Sequence, residues 1–259
     1  TTNEPQETFE VNITDAETDT TNTTLTVTDA QGIGTIDDDD PVPTVSINDV
    51  TVDEGDNAVF TVSLSNPSIE DITVTFTVDD ATAVETDDYT EPATLTVTIS
   101  AGDTTGSITV ATVEDTTNEP QETFEVNITD AETDTTNTTL TVTDAQGIGT
   151  IDDDDPIPTV SINDVTVDEG DNAVFTVSLT NPSSEDITVT FTVDDATAVE
   201  TDDYTEPATL TVTILAGGTT GSITVATVDD GIHEATETFE VNITDAETDT
   251  TNTTLTVTD

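Results

Sequence analysis

The chain has 259 residues, of which 58 are Asp or Glu and one is His; it has neither Lys nor Arg, and its formal charge is −58. No carboxylate can pair with a basic side chain, and nucleic acid is excluded as a partner because nothing cationic is present to meet a phosphate. The countercharge must come from cations in solution.

In chain order, the first signal is repetition. Phe9 returns as Phe124 and again as Phe239, a step of 115 residues, and Pro41 returns as Pro156 at the same step. Residues 1–40 read as the C-terminal part of one repeat, with its last two strands and the run Asp38, Asp39, Asp40. Residues 43–155 read as a complete repeat, and 158–259 as a repeat lacking its last residues. Within the complete repeat, apolar and polar residues alternate with period two, the mark of half-buried strands. Thr44–Ile47 opens the series. Ala58, Phe60, Val62 and Leu64 share a face, as do Ile72, Val74, Phe76 and Val78. Leu95, Val97 and Ile99 follow, then Ile108 and Val110, then Phe124, Val126 and Ile128. Leu140 and Val142 begin a last strand that resumes near Ile148. Thr on the outer faces favours extended backbone through its β-branch. No segment has helical spacing. About seven short strands separated by Gly, Asn, Asp and Pro turns predict an all-β chain of tandem, seven-stranded antiparallel β-sandwiches, immunoglobulin-like in architecture. The links read Asp-Asp-Asp-Asp-Pro-Val-Pro and Asp-Asp-Asp-Asp-Pro-Ile-Pro. Paired prolines stiffen them, so the repeats are expected to stand end to end.

Other absences narrow the setting. With no Cys there is no disulfide, and with no Lys no isopeptide cross-link, so a metal is the expected staple. The lack of Cys, Met, Trp and tryptic sites suits a secreted chain at the cell surface. No run of 18 apolar residues occurs, so no membrane insertion is expected in this stretch. The first residue is not Met, and the chain reads as a window on a longer one.

Many carboxylates break the outward alternation. They sit at strand ends and in loops: Glu54, Asp79 and Asp80, Asp87 and Asp88, Glu114 and Asp115, Glu119, Glu122, and Asp152 to Asp155. Alternate loops of a sandwich gather at one end. Hard cations take six to eight oxygens in flexible geometry, which suits Ca²⁺ better than Mg²⁺; Zn²⁺ would want His or Cys.

The segments VDEGDNAVFTVSL (52–64), DDATAVETDDY (79–89), ETFEV (122–126) and GTIDDDD (149–155) together resemble the Calx-beta family. The resemblance covers 43–155 and nearly all of the third segment. It implies a Greek-key sandwich with several Ca²⁺ ions per repeat at one end. Carried over by position, the implied ligands are Glu54, Asp80, Glu114, Asp115, Glu119, Glu122, Asp153, Asp154 and Asp155, with the carbonyl of Thr117. In the third segment they are Glu169, Asp195, Asp229, Asp230, Glu234 and Glu237, with the carbonyl of Ile232. Asp38, Asp39 and Asp40 are the counterparts of Asp153 to Asp155. VDDGIHEATETF (228–239) is closer to the family than VEDTTNEPQETF (113–124), where Glu114 replaces the usual Asp and Pro120 and Gln121 alter the loop. Asp152 takes a place that is usually apolar and reads as an outer or linker residue.

The remaining features read plainly. Asp87 and Asp88 are expected to shape the turn before Tyr89. His233 reads as a solvated loop residue. The carboxylate pairs lack the aromatic platforms of a glycosidase cleft, and the complete repeat has no His for a nucleophile–base pair. No enzyme is expected. Asn127 and Asn137 begin accessible N-x-Thr sequons. The expected function is an extracellular structural array, a calcium-stiffened stalk or filament shaft, with neighbouring repeats or copies of itself as partners. The alternatives are adhesin repeats that bind a surface ligand themselves, and a calcium-sensing regulatory module.

Overall fold

The structure, a computed structural model, describes residues 2–258; Thr1 and Asp259, the ends of the first and third segments, lie outside the described residues. Every named element is a strand, and among the described residues no helix is long and apolar enough to cross a membrane. Contacts divide the chain into two compact units. The first runs to Thr51 and includes Asn57–Thr112 and Thr123–Thr150; the second comprises Val52–Asp56, Val113–Glu122 and the chain from Ile151 onward.

Two strands open the first unit. β1 (Glu7–Asn12) and β2 (Gln31–Ile36) pair antiparallel, with Phe9 opposite Gly34. Their apolar side chains, including Phe9, Val11 and Ile33, are more than half exposed.

The complete repeat contains β3 (Thr44–Ile47), β4 (Val50–Asp53), β5 (Asn57–Leu64), β6 (Ile72–Asp80), β7 (Tyr89–Thr90), β8 (Thr96–Ile99), β9 (Thr105–Thr112), β10 (Glu122–Thr133), β11 (Thr141–Asp144) and β12 (Gln146–Asp152). They form two five-stranded sheets, ordered β4-β12-β10-β6-β8 and β11-β3-β5-β9-β7. The alternation read in the sequence is the burial pattern of these strands: Phe60, Val62, Val74, Phe76, Val110, Phe124 and Val126 are buried. Three aromatic rings tie the core together. Phe124 meets Phe60 edge-on at 5.9 Å and stacks on Tyr89 at 4.8 Å, geometries that satisfy the ring quadrupoles.

The last predicted strand proves to be two. β11 pairs parallel with β3, Thr141 opposite Thr44, whereas β12 belongs to the other sheet. The chain changes sheets at Ala145, whose carbonyl still accepts from Ile128 N at 2.7 Å. This ladder is therefore parallel, whereas β3–β5, β5–β9, β7–β9, β6–β8 and β6–β10 are antiparallel. Alternation reports which face a side chain takes, not the direction of its partner strand. β7 has only two residues, too few for alternation to reveal, and β4 stands at a sheet edge with Val50 and Val52 only half-buried.

In the second unit lie β13 (Thr159–Ile162), β14 (Asn172–Leu179), β15 (Ile187–Asp195), β16 (Tyr204–Thr205), β17 (Thr211–Ile214), β18 (Thr220–Thr227), β19 (Phe239–Thr248) and β20 (Thr256–Val257). Their sheets are ordered β16-β18-β14-β13-β20 and β17-β15-β19. β19 stands at an edge. Its Phe239, Val241 and Ile243 are half-buried, whereas their counterparts Phe124, Val126 and Ile128 are buried.

Candidate metal centre

Glu54 follows β4 at a turn that Gly55 makes possible. Gly55 has φ +76°, and a Cβ there would lie 2.5 Å from Glu114 Oε2. Only glycine takes that conformation without cost and leaves room for the carboxylate. The turn is tied down by Glu54 N, which donates to the Asp152 carbonyl at 2.9 Å. The Glu54 side chain then accepts from Asp115 N at 2.9 Å, and Asp115 Oδ1 accepts from Thr117 N at 2.5 Å. Three loops distant in sequence thus bring Glu54, Asp115 and Asp155 together, with one oxygen of each within 4.8 Å of the others.

The electrostatics of this group are unfavourable without a cation. Burial pushes the Glu54 carboxyl up to about 7; the Asp115 amide opposes this, and the charges of Asp115, Asp153 and Asp155 add to it. Burial and the neighbouring aspartates likewise raise Asp155. Glu114 is raised mainly by Asp154, then by burial. Asp155 Oδ2 is buried and has no hydrogen-bond partner. A buried carboxylate oxygen in that state costs free energy. A hard cation at the point where the three carboxylates converge would remove both penalties, and an all-oxygen donor set matches Ca²⁺ in kind.

The second unit holds another group of the same type. Asp203, Glu234 and Glu237 each place an oxygen within 4.8 Å of the others. Burial raises Glu234 and Glu237, and Asp203 and Glu169 raise both further. Asp203 also accepts from Val199 N at 2.7 Å, so one carboxylate serves the turn and the cluster together. Asp88, Glu119 and Glu122 occupy the corresponding sequence positions one repeat earlier.

With both groups described, the comparisons decide the lineage. The Calx-beta domain family matches residues 37–155 and 151–259. The chain belongs to the Calx-beta family. Among solved structures it is similar to CBD12 from CALX1.2, at 16% identity over 81% of this chain and 83% of that one, with a TM-score of 0.39. The structure described as calcium binding domain CBD12 of CALX1.1 gives 16%, 78%, 80% and 0.39 in the same order. A cohesin–dockerin complex from Clostridium thermocellum gives 12%, 43%, 99% and 0.27. No curated protein sequence matches the chain.

Across the Calx-beta repeats, the positions named from sequence have different surroundings. Asp80 and Asp195 each turn Oδ1 toward a tyrosine: Tyr89 Oη donates to Asp80 at 2.6 Å and Tyr204 Oη to Asp195 at 2.7 Å, with a backbone amide beside each. These bonds hold both aspartates below the ordinary carboxylate range. Asp153 has both oxygens engaged, Oδ2 by Asn118 at 2.7 Å and Oδ1 by Asp155 N at 3.3 Å. Asp38 repeats this with Asn3 at 3.0 Å and Asp40 N at 3.3 Å. Asp39 and Asp154 are exposed. Glu169 acts on the second cluster through its charge, while Asp229 and Asp230 accept from Gly231 N and Ile232 N in local turns. Three features escape a reading of ligands by position. Asp203 joins the second cluster, the tyrosines hold the two strand-end aspartates, and Asn118 and Asn3 are held by the aspartate runs. Each had a signal: the TDDY motif recurs, and Asn3 and Asn118 share one place in the repeat.

Proposed function

We propose that each repeat is a calcium-binding module and that the tandem array is a non-enzymatic, extracellular stalk or filament shaft stiffened by the ion. Calx-beta domains are calcium-binding modules, and the acidic clusters supply the donor type that Ca²⁺ takes. The observation that carries the reading is the convergence of Glu54, Asp115 and Asp155, together with the buried Oδ2 of Asp155, which has no hydrogen-bond partner. The mechanism is electrostatic. Without the ion, the loop carboxylates repel and the loops open; with it, they converge and the loop ends of the sheets are pinned. Glu114, Asp154 and the carbonyl of Thr117 extend the proposed ligand set in the complete repeat, and Asp229, Asp230 and the carbonyl of Ile232 in the next. Near-identity of the copies favours a repeated mechanical unit over adhesin repeats. A calcium sensor rests on the same clusters. It differs in requiring a binding constant within the range of a fluctuating signal, whereas a structural site stays filled at extracellular calcium levels.

Thermal unfolding of the full chain in millimolar Ca²⁺ and in excess EGTA tests the reading. We expect a markedly lower melting temperature in EGTA, because an ion bound only by the folded state stabilises it by mass action. Equal melting temperatures in the two conditions sink it.

A further inference from the structure

Two loop contacts recur one repeat apart with the same atoms. Asn3 N donates to the Pro67 carbonyl at 3.1 Å, and Ile69 N donates to the Asn3 carbonyl at 3.2 Å; Asn118 N and the Pro182 carbonyl, and Ser184 N and the Asn118 carbonyl, make the same bonds at 3.1 Å each. Each set is a one-residue parallel bridge, Asn3 with Ser68 and Asn118 with Ser183. The first lies wholly inside the first compact unit and the second wholly inside the second.

Both halves of the contact are prepared. On the receiving side, Ser68 and Ser183 are 3% and 2% exposed, and their carbonyls accept from Gly102 N and Gly217 N at 2.8 Å. Asn66 and Asn181 brace the same loop by donating to the Pro41 and Pro156 carbonyls at 2.9 and 2.8 Å. On the inserting side, the asparagine amide reaches back into the aspartate run of its own repeat. Asn118 Nδ2 donates to Asp153 Oδ2 at 2.7 Å and to the Asp155 carbonyl at 3.4 Å. Asn3 does the same with Asp38 and the Asp40 carbonyl at 3.0 and 3.4 Å. Beside Asn118 opens a cleft of about 440 Å³ lined in part by Asp153 and Glu185.

We infer that this bridge is a docking clamp between consecutive repeats. The Asn loop of one repeat is the inserting half, and the Asn-Pro-Ser loop at the head of the next copy is its partner surface. Asparagine suits the position because its main chain bonds outward in both directions while its side chain donates to a carboxylate. An aspartate there would set like charges against each other. The inference gives the aspartate run a second task, with Asp153 orienting the clamp while Asp155 turns toward Glu54. The corresponding residue of the third segment is His233, so that segment lacks the asparagine half.

Amide hydrogen exchange of the full chain tests the clamp, read at Ile69 and Ser184, whose different residue types keep the two copies distinguishable. Both amides should exchange roughly tenfold to a hundredfold more slowly than neighbouring loop amides, as bonded groups do. Asn118→Ala should speed Ser184 roughly tenfold and leave Ile69 unchanged, an internal control that the chain is still folded. Asn118→Asp, which keeps the shape and reverses the side-chain interaction, should do at least as much. Free exchange of Ser184 in the unaltered chain overturns the clamp, as does unchanged exchange in both variants. Loss of calcium binding with Ser184 still protected would strike the calcium reading and spare the clamp.

Discussion

At the scale of the residue, the informative groups are those whose ionisation the fold opposes. Glu54 has its carboxyl raised from 4.5 to about 7 by burial and then by its aspartate neighbours. The folded, ion-free state therefore holds a proton that the unfolded chain releases. Its contribution to stability is fully present below pH 4.5 and is lost as pH rises through about 7. Calcium must displace that proton, so the two trends oppose. Melting in EGTA should fall as pH rises from 4.5 to 7, whereas apparent calcium affinity by titration calorimetry should rise over the same window. Asp80 shows the opposite shift, lowered chiefly by Tyr89. Its stabilising share is present above the ordinary carboxylate value and is lost in acid. Tyr89→Phe should return the Asp80 carboxyl toward its ordinary value, read by carboxyl carbon NMR, and lower the melting temperature by a few degrees.

At the scale of the element, close approach decides which substitutions a strand tolerates. In β12, a Cβ at Gly149 would lie 2.3 Å from a ring carbon of Phe124, and in β2 one at Gly34 would lie 2.4 Å from a ring carbon of Phe9. Phe124 itself is packed between Phe60 and Tyr89 and cannot withdraw. Gly149→Ala should therefore cost about 1–3 kcal/mol by overpacking, measured by denaturant unfolding. The same change at Gly34 should cost less, because the ring of Phe9 is 53% exposed and free to move. The longer strands were legible because their two faces differ in polarity. β7, with two residues, was not, nor was β4, an edge strand whose Val50 and Val52 are only half-buried; the sheet change at Ala145 was hidden because the buried positions of β12 include Gly147 and Gly149, which have no side chain to mark the change of face. The bulge in β10 between Ile128 and Asp130 was equally silent; there Thr129 Oγ1 donates to the Thr75 carbonyl at 3.2 Å, and in β19 Thr244 Oγ1 repeats the bond, donating to the Thr190 carbonyl of β15.

At the scale of the whole molecule, the charge of −58 opposes compaction and no internal cation offsets it. Two kinds of relief are separable. Diffuse screening acts on every carboxylate and depends only on ionic strength, with a Debye length near 10 Å at about 0.1 M. Site binding acts at the clusters and depends on the ion. Sodium chloride should raise the melting temperature gradually. Calcium chloride at the same ionic strength should raise it far more and saturate, and coincident curves for the two salts would mean that screening alone operates.

The all-β class, the repeat step, the two faces of each long strand and the need for external cations were set by the sequence alone. They follow from local periodicity and from composition, which do not depend on where distant segments meet. The resemblance supplied the family and a set of loop carboxylates, but not their division of labour. Tertiary structure alone decided that Asp155 faces Glu54 while Asp153 holds Asn118, that Asp203 serves both turn and cluster, and that β11 pairs parallel with β3 and β20 with β13. Those outcomes depend on loops far apart in the chain converging at the ends of the sheets. An angstrom of backbone placement there separates a metal-facing oxygen from one committed to an amide.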